Sequence, residues 1–401
     1  MSETVVADIG TPDYAERVLL RHIALSSYRN YTTLKLDFSG AHVVLTGHNG
    51  AGKTNLLEAV SFLSPGRGLR RAAYQDVSST RAVSCNSSGF GVHARLECVT
   101  YGKALIGTGG GGTAQGEGGR RIRINCVPQP ADRMLEYCRI IWLVPAMDGL
   151  FTGSAGERRR FLDRMVLAID PLHGRRVTDY EKAMRARNRL LAEGTQNAAW
   201  LDALEAQMAG LGTAVAAARR EVICLLGAVI ERILHKPRSG GHFPAAELDL
   251  EGSVEKALVF LPAVDVEENV RRLLRESRIA DRTAGRTLAG PHRTDLHVMH
   301  KEKSMPVALC STGEQKALLT GLVLSHARLT GELSGMTPIL LLDEIAAHLD
   351  SQRRRALFDL LDNLGAQTFM TGTDKALFSD LAGRAEFFLV QDGCISSMAE
   401  S

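Results

Sequence analysis

The sequence lacks the features of a secreted, disulfide-bonded or membrane-spanning protein. Its seven cysteines among 401 residues are an odd number, are scattered, and include no C-x-x-C pair. That distribution argues against a disulfide framework or a zinc site and predicts a reducing compartment. Residues 1–17 are polar and mildly acidic rather than signal-like, and no apolar run is long enough to cross a membrane. We therefore expect a cytoplasmic protein with no membrane partner.

A dominant charge of one sign is also lacking. The chain has 48 Lys and Arg against 45 Asp and Glu, a formal net charge of +3, so any basic surface must be local. Hydrophobic residues make up 45% of the sequence, enough for a sizeable core. The length predicts two domains, or one core with a large insertion.

The most specific motif is a phosphate loop, G-x-x-x-x-G-K-T, between an apolar β-branched run at 43–46 and a helical pattern that starts at residue 53. Glycines let the backbone aim its N–H groups at phosphates, and the helix N-terminus favours the anion. In this role Lys53 binds the β- and γ-phosphates and Thr54 ligates Mg²⁺. The alternative, a turn that only closes a strand–helix corner, does not require Lys-Thr. The predicted ATP-binding residues are Gly47, His48, Asn49, Gly50, Ala51, Gly52, Lys53 and Thr54.

A second motif supplies the acids that such a site requires. The apolar run at 338–342 ends in Asp343 and Glu344. We expect Asp343 to hold Mg²⁺ through water and Glu344 to polarise the attacking water as the catalytic base. An apolar strand that ends in two acids is common, but the phosphate loop in the same chain strengthens this interpretation.

A third motif, Ser-x-Gly-x-Gln, opens a predicted helix about thirty residues before the acidic pair. Ser311 offers a hydroxyl, Gly313 permits close approach of a phosphate, and Gln315 completes the motif. The alternative for this serine is an ordinary N-cap. The turn at 348–350 is of the kind found at the dimer seam of ABC-type ATPases. Together the motifs predict an ABC-type head in which the lysine loop of one subunit and the serine loop of another sandwich one ATP.

Between these motifs the sequence predicts antiparallel strands and then a helical arm. Residues 18–45 read as an antiparallel pair, residues 80–127 as short strands, and the glycine-rich stretch 107–119 as a mobile hairpin tip. Ser154 and Glu157 form a capping box, and apolar residues recur from 201 to 229 at heptad spacing, which we interpret as core. Residues 157–238 carry five more basic than acidic residues, which fits a solvated face as well as nucleic acid. The arginines concerned are Arg158, Arg159, Arg160, Arg164, Arg175, Arg176, Arg185, Arg187 and Arg189.

Four further stretches show which ABC-type family the chain is similar to. They are residues 29–31 (Arg-Asn-Tyr), residues 144–163, Gly-Pro-His-Arg-x-Asp-Leu at 290–296, and Ser-x-Gly-x-Gln-Lys at 311–316. With them the sequence resembles the RecF family of bacterial recombination mediators over nearly its full length. The resemblance implies an α/β ABC-type head, a mixed sheet with an antiparallel β subdomain, and an inserted helical arm. The implied division is 1–145 for the first part of the head, 146–287 for the arm and 288–401 for the rest of the head.

The resemblance also implies a function. Members bind ATP and Mg²⁺, form an ATP-dependent homodimer, and bind single-stranded and gapped duplex DNA without sequence preference. They act with RecO and RecR to favour RecA loading, in replication-linked repair and SOS induction. The implied enzyme is a weak, DNA-dependent ATPase whose slow hydrolysis releases the DNA. Ser311 then acts in trans, and Arg29 and Asn30 touch the adenosine.

The sequence departs from the family pattern, and from that of ABC transporters, at three places. Ala146-Met147-Asp148 stands where the family has an acidic pair after the proline, and the insert at 107–119 is unusual. Residues 369–373 supply hydroxyls where ABC transporters have a switch histidine.

Other functions remain open at this stage. A nucleotide-gated scaffold would use the arm for protein partners rather than DNA. A nuclease with an ABC-type head would need a cluster of metal-binding carboxylates in an added domain, which the arm does not show. A metabolite kinase does not explain the serine motif or the arm.

Overall fold

The computed structural model describes residues 15–79, 89–110, 119–194, 197–234 and 243–398. The strands in chain order are β1 (Glu16–Arg17), β2 (Leu19–Tyr28), β3 (Tyr31–Asp37), β4 (His42–Thr46), β5 (Phe90–Cys98), β6 (Gly102–Gly110), β7 (Arg121–Ile124), β8 (Val127–Pro128), β9 (Ile140–Leu143), β10 (Ala246–Glu251), β11 (Asp295–His300), β12 (Met305–Pro306), β13 (Met336–Thr337), β14 (Ile339–Leu342), β15 (Thr368–Gly372), β16 (Ala385–Gln391) and β17 (Cys394–Ser397). The helices are α1 (Lys53–Ser61), α2 (Tyr74–Val77), α3 (Ala155–Ile169), α4 (His173–Ala192), α5 (Ala198–Leu234), α6 (Ser253–Phe260), α7 (Ala263–Glu276), α8 (Arg278–Ala284), α9 (Thr312–Ser334) and α10 (Ser351–Leu364). Among these described helices, none is long and apolar enough to cross a membrane.

The chain divides into two compact units. The first contains Met1–Val144 and Ala327–Ser401, and the second contains Pro145–His326. The expected division resumed the head at residue 288, but residues 288–326 belong to the second unit. The reason is strand pairing, because β11 in this stretch forms its ladder with β10 of the preceding insertion.

The first unit contains the predicted mixed sheet, in the order β17-β16-β4-β15-β14-β9. Strands β16, β4, β15, β14 and β9 run parallel, and β17 is antiparallel to β16. Every residue of β4 and β14 is buried, as expected for parallel strands covered on both faces. The phosphate loop and the acidic pair follow the carboxyl ends of these two strands, so both motifs reach the same edge of the sheet.

A second sheet of the first unit is the predicted antiparallel subdomain, in the order β3-β2-β5-β6-β7-β8. Buried and exposed residues alternate along β5 and β7, so one face packs on the core and the other faces solvent. The expectation of a mobile tip over 107–119 was wrong at its start. Gly107–Gly110 continue β6 and pair with β5, where a strand of small residues is held by its neighbour's backbone. Residues 111–118 lie outside the described part of the chain.

The second unit contains the predicted arm helices but is not helical throughout. The capping box at α3 is present, with Ser154 accepting from the Glu157 N–H and Glu157 accepting from the Ser154 N–H. Helices α4 and α5 pack antiparallel. Arg187 near the end of α4 contacts Glu205 near the start of α5, whereas Tyr180, earlier in α4, lies beside Gly212, later in α5. The unit also has a three-stranded antiparallel sheet, β10-β11-β12, which the arm prediction did not include.

The heptad positions of α5 are core, as predicted. One set is buried and the other is half-buried, which places the seam against neighbouring helices of the unit. The buried set is Leu201, Met208, Val215, Val222 and Val229, and the half-buried set is Leu204, Leu211, Ala218 and Leu225.

Candidate nucleotide-binding site

The phosphate loop is held in a shape that requires glycine at two of its positions. Gly47 has φ +149°, and a Cβ there would lie 2.2 Å from the carbonyl oxygen of Val390. Gly52 has φ +120°, and its Cβ would lie 2.5 Å from the amide nitrogen of Asn30. Both values fall in the region that favours glycine. The loop is therefore pressed against the last strands of the unit on one side and the β2–β3 turn on the other.

Lys53 folds back over this loop. Its Nζ donates to the carbonyl oxygens of Gly47, at 2.6 Å, and His48, at 2.9 Å. Burial lowers the pKa of Lys53, while the nearby charges of Glu344 and Asp343 oppose the shift. The ammonium group is thus already placed at the centre of the loop, where phosphate oxygens could replace the two carbonyls.

Thr54 and Asp343 come together although they are 289 positions apart in sequence. The Thr54 hydroxyl lies 3.0 Å from each carboxylate oxygen of Asp343, which is buried. A hydroxyl and a carboxylate are the hard oxygen ligands that Mg²⁺ prefers. These residues fit the metal role predicted for them, since both oxygens face one another at the edge where the phosphate loop ends.

Thr371 joins the two acids and was not predicted as a site residue. Its hydroxyl donates to Asp343 Oδ1 at 2.6 Å and accepts from the Glu344 N–H at 2.9 Å. Glu344 itself has φ +54°, a left-handed conformation that is uncommon outside glycine. Such local strain concentrates at functional sites. Thr371 ends up here because β15 lies between β4 and β14 in the sheet, which no local sequence pattern shows.

The side chains of Asn30 and Tyr31 hydrogen-bond to the backbone of the phosphate loop. Asn30 donates to the Ala51 carbonyl at 3.1 Å and accepts from Asn55 at 2.7 Å, and the Tyr31 hydroxyl donates to the Gly52 carbonyl at 3.0 Å. Asn30 was predicted to touch adenosine. That contact stays a prediction, and in this structure the Asn30 side chain holds the backbone of the loop.

Arg29, also predicted to touch adenosine, makes a two-pronged ion pair with Glu58 of α1. The distances are 2.8 Å and 2.7 Å, and the Glu58 side chain is fully buried. Arg70 approaches the same carboxylate at 3.3 Å and donates to Asn55 at 2.5 Å. These contacts link the turn before β3, the helix after the phosphate loop and the following arginine loop.

The serine motif opens α9 in the second unit as a capping box. Ser311 Oγ donates to Glu314 Oε2 at 2.8 Å and accepts from the Glu314 N–H at 3.4 Å. Contacts with Lys303 and then Ser311 lower the pKa of Glu314 to about 2. Gly313 is open, with nothing within 4 Å of a Cβ built on it. Gln315 points inward and donates to the Cys310 carbonyl at 2.9 Å, so its side chain fixes the loop from within.

The turn at 348–350 leads directly into a helix. Asp350 caps α10 by accepting from the Arg353 N–H at 2.8 Å.

The nine arm arginines differ in burial and partners, and Arg164 and Arg176 are half-buried. Arg158 makes a bidentate pair with Asp295 at 2.7 Å, Arg159 donates to the Thr294 carbonyl at 2.8 Å, and Arg187 is fully buried against Glu205 and other partners. These three hold the second unit together and are not available to DNA through the same atoms. The exposed members of the predicted set are Arg160, Arg175, Arg185 and Arg189.

Comparison with known proteins gives close relatives. The chain is 61% identical over 383 residues to the DNA replication and repair protein RecF of Brucella abortus, covering 96% of this chain and 97% of that protein. No protein-family model matches the chain.

Solved structures give the same fold. A structure described as the recombination mediator protein RecF–ATP in the RecFOR pathway aligns with a TM-score of 0.82 at 24% identity, covering 97% of this chain and 100% of that one. An Smc head domain from Pyrococcus furiosus aligns with a TM-score of 0.52 at 15% identity, covering 95% and 96%. At these identities the likeness shows the fold, that of an ABC-type ATPase head. The chain, with its phosphate loop and acidic pair brought to one sheet edge, belongs to the RecF family of DNA replication and repair proteins.

Proposed function

We propose that this protein is an ATP-dependent, DNA-binding recombination mediator that favours RecA loading near single-strand gaps together with RecO and RecR, in replication-linked repair and SOS induction. The observation that carries the proposal is the hydrogen-bonded chain Thr54–Asp343–Thr371–Glu344, which joins both halves of a nucleotide site. It occurs in a chain 61% identical to a relative named for DNA replication and repair. DNA is its proposed substrate and the cytoplasm its proposed compartment.

The proposed ATP site uses groups that are already in place. Lys53 and the loop N–H groups bind the triphosphate, and Thr54 with Asp343 holds Mg²⁺, which supplies positive charge against the phosphates. Glu344 orients the attacking water, and its backbone is fixed for this task by Thr371. Hydrolysis is slow and DNA-dependent in this proposal, and it releases the DNA.

The second component of the proposal is a homodimer in which Ser311 and Gly313 of one subunit complete the ATP site of the other. In support, Ser311 and Gly313 are exposed at the N-terminus of α9, where backbone N–H groups and the helix dipole favour an anion. The test mixes Lys53→Ala protein with Ser311→Arg protein, each inactive alone. Roughly a quarter of wild-type turnover should return, because half of randomly mixed C2 dimers contain one intact composite site.

The capping box provides the control for this mixing test. Glu314→Gln weakens the same cap but leaves the Ser311 hydroxyl, so it separates damage to the helix start from loss of the trans contact. If the mixed proteins recover no ATPase activity while the Glu314→Gln variant is active, the shared site is wrong. Sedimentation with ATP and with ADP gives the dimerisation state independently.

The third component is DNA binding through exposed cations. Backbone contacts predict an affinity that ignores sequence and falls steeply with salt. Arg160→Glu tests the arm, whereas Arg158 is a poor choice because its pair with Asp295 supports the fold. Lost DNA binding with intact ATP-dependent dimerisation supports the mediator. DNA binding that does not change between low and moderate salt favours the nucleotide-gated scaffold, which uses the arm for protein partners.

A further inference from the structure

The solvent-facing side of the antiparallel sheet in the first unit carries two parallel rows of side chains. Pairing of β3, β2, β5, β6 and β7 is continuous, so residues directly opposite one another stand side by side on one face. The first row is Lys35, Ala24, His93, Gly107 and Arg123, and the second is Thr33, Ser26, Gly91, Gly109 and Arg121. We call these ten residues the basic face.

The two margins of the basic face are cationic. Lys35 stands on β3, and Arg121 and Arg123 stand on β7, and all three are exposed. Among the described residues none of the three has an acidic side chain within ion-pair distance. His93 is exposed near the middle of the face. Asp37, in the next row, is already engaged by His22 at 2.9 Å and Arg95 at 3.6 Å. The face therefore presents positive charge that no described residue of the protein neutralises.

Most residues in the middle of the basic face have small side chains or none. Ala24, Ser26, Gly91, Gly107 and Gly109 leave little side chain above the backbone. Neighbouring strands leave no space for a larger side chain at two of these glycines. A Cβ on Gly91 would lie 2.6 Å from Ser26 Oγ, and a Cβ on Gly107 would lie 3.2 Å from His93 Nδ1. Five strands at about 4.8 Å spacing separate Lys35 from Arg123 by about 19 Å. The result is a shallow bed with cations along both edges.

This combination suits a polyanion better than a protein partner. Binding energy at protein interfaces is concentrated in buried aromatic and arginine anchors that fill pockets. The small residues at the centre of the basic face offer neither an anchor nor a pocket. A nucleic acid backbone needs only cations at its phosphates and a surface that it can approach without collision.

We propose that the basic face binds the phosphate backbone of DNA. The inference rests on the proposed function in that DNA is the ligand, but it assigns a contact surface in the first unit, separate from the arm arginines. Lys35, Arg121 and Arg123 neutralise phosphates, and the row of small residues lets the backbone lie close to the sheet. Binding here is independent of base sequence.

The experiment measures fluorescence anisotropy of a fluorescein-labelled duplex of mixed sequence, titrated with full-length protein and ATP at several salt concentrations. The test variant is Arg121→Gln/Arg123→Gln. Removing two phosphate contacts should make the negative slope of log affinity against log salt shallower by about 1.8 and should reduce the affinity at 0.1 M salt by about 60-fold. The control is Arg354→Gln/Arg355→Gln, which removes two cations of helix α10 in the same unit, outside the antiparallel sheet, and should leave the salt dependence and the affinity close to those of wild type.

A second variant tests the shape of the bed. Ala24→Trp leaves the charge unchanged but raises a large side chain between Lys35 and His93, so it should weaken binding at every salt concentration while the slope stays the same. If the double glutamine variant binds like its control, the basic face is not a DNA contact and an acidic protein becomes the better partner. If wild-type protein binds no DNA at all, the proposed function fails, which is a different result.

Discussion

Replacing Thr371 with valine should slow ATP hydrolysis more than it weakens ATP binding. The substitution keeps the shape of the side chain but removes the hydroxyl that donates to Asp343 at 2.6 Å and accepts from the Glu344 N–H at 2.9 Å. A hydrogen bond to a charged group contributes about 2 kcal/mol and a neutral one about 1 kcal/mol. Thr371 is fully buried, so water does not replace the lost group.

We expect the Thr371→Val substitution to reduce both the stability of the protein and its rate of ATP hydrolysis. We expect the unfolding free energy of the first unit to fall by about 1 kcal/mol through the unsatisfied Glu344 N–H. Without the Thr371 hydroxyl, Asp343 and Glu344 are held less firmly in position. This should lower turnover by about 30-fold, which corresponds to about 2 kcal/mol in the activation barrier. Lys53 and the loop N–H groups are untouched, so affinity for a fluorescent ATP analogue should change less than threefold, about 0.6 kcal/mol.

Thr371→Ser is the matched control, because serine keeps the hydroxyl and loses only a methyl group. Turnover measured by phosphate release should be close to wild type for serine and low for valine. Equal turnover in the valine variant and wild type would show that the acids hold their geometry without Thr371, and the reasoning about this chain of hydrogen bonds would be wrong.

Three further outcomes can be measured by chemical or thermal unfolding. Arg29→Ala leaves the fully buried Glu58 with a weaker partner and should cost about 3 kcal/mol of unfolding free energy; a loss below 1 kcal/mol would contradict this. Arg158→Ala should cost about 2 kcal/mol, whereas the exposed neighbour variant Arg160→Ala should stay within about 0.5 kcal/mol of wild type. Burial lowers the pKa of His326 to about 4, so the unfolded chain binds the extra proton between about pH 6.5 and 4. Stability from this group is therefore present above pH 6.5 and lost as pH falls to 4, by up to about 3 kcal/mol. His326→Gln should flatten that part of the pH profile, and an unchanged slope would assign it to other groups.

The sequence alone was sufficient to predict those features whose residues are continuous in the chain. The glycines, Lys53 and Thr54 follow one strand and open one helix, and the capping box at Ser154 needs only four residues. Burial of the heptad positions in α5 follows from their spacing alone. These features depend on contacts between residues near one another in the chain, so their pattern is visible without the fold.

Some assignments needed knowledge of which neighbours a side chain meets. Arg29 and Arg158 look like free cations in sequence, yet each has a carboxylate partner at 2.7 Å that lies elsewhere in the chain. The strand β10 carries a short apolar–polar alternation, Ala246–Glu251, that the arm prediction did not use, and its place is fixed by pairing with β11. The compact unit that contains the insertion extends to His326 through the same strand pairing.

By itself, the sequence determined that this protein has a phosphate loop, a strand ending in two acids, and arm helices with a buried seam, because each of these is a local pattern of residue types. Only the tertiary structure decided that Thr371 links Asp343 to Glu344, that Asn30 and Tyr31 support the loop, and that cations from β3 and β7 border one open face. These relations come from strand order and register, which bring residues far apart in sequence into contact and which side-chain periodicity does not encode.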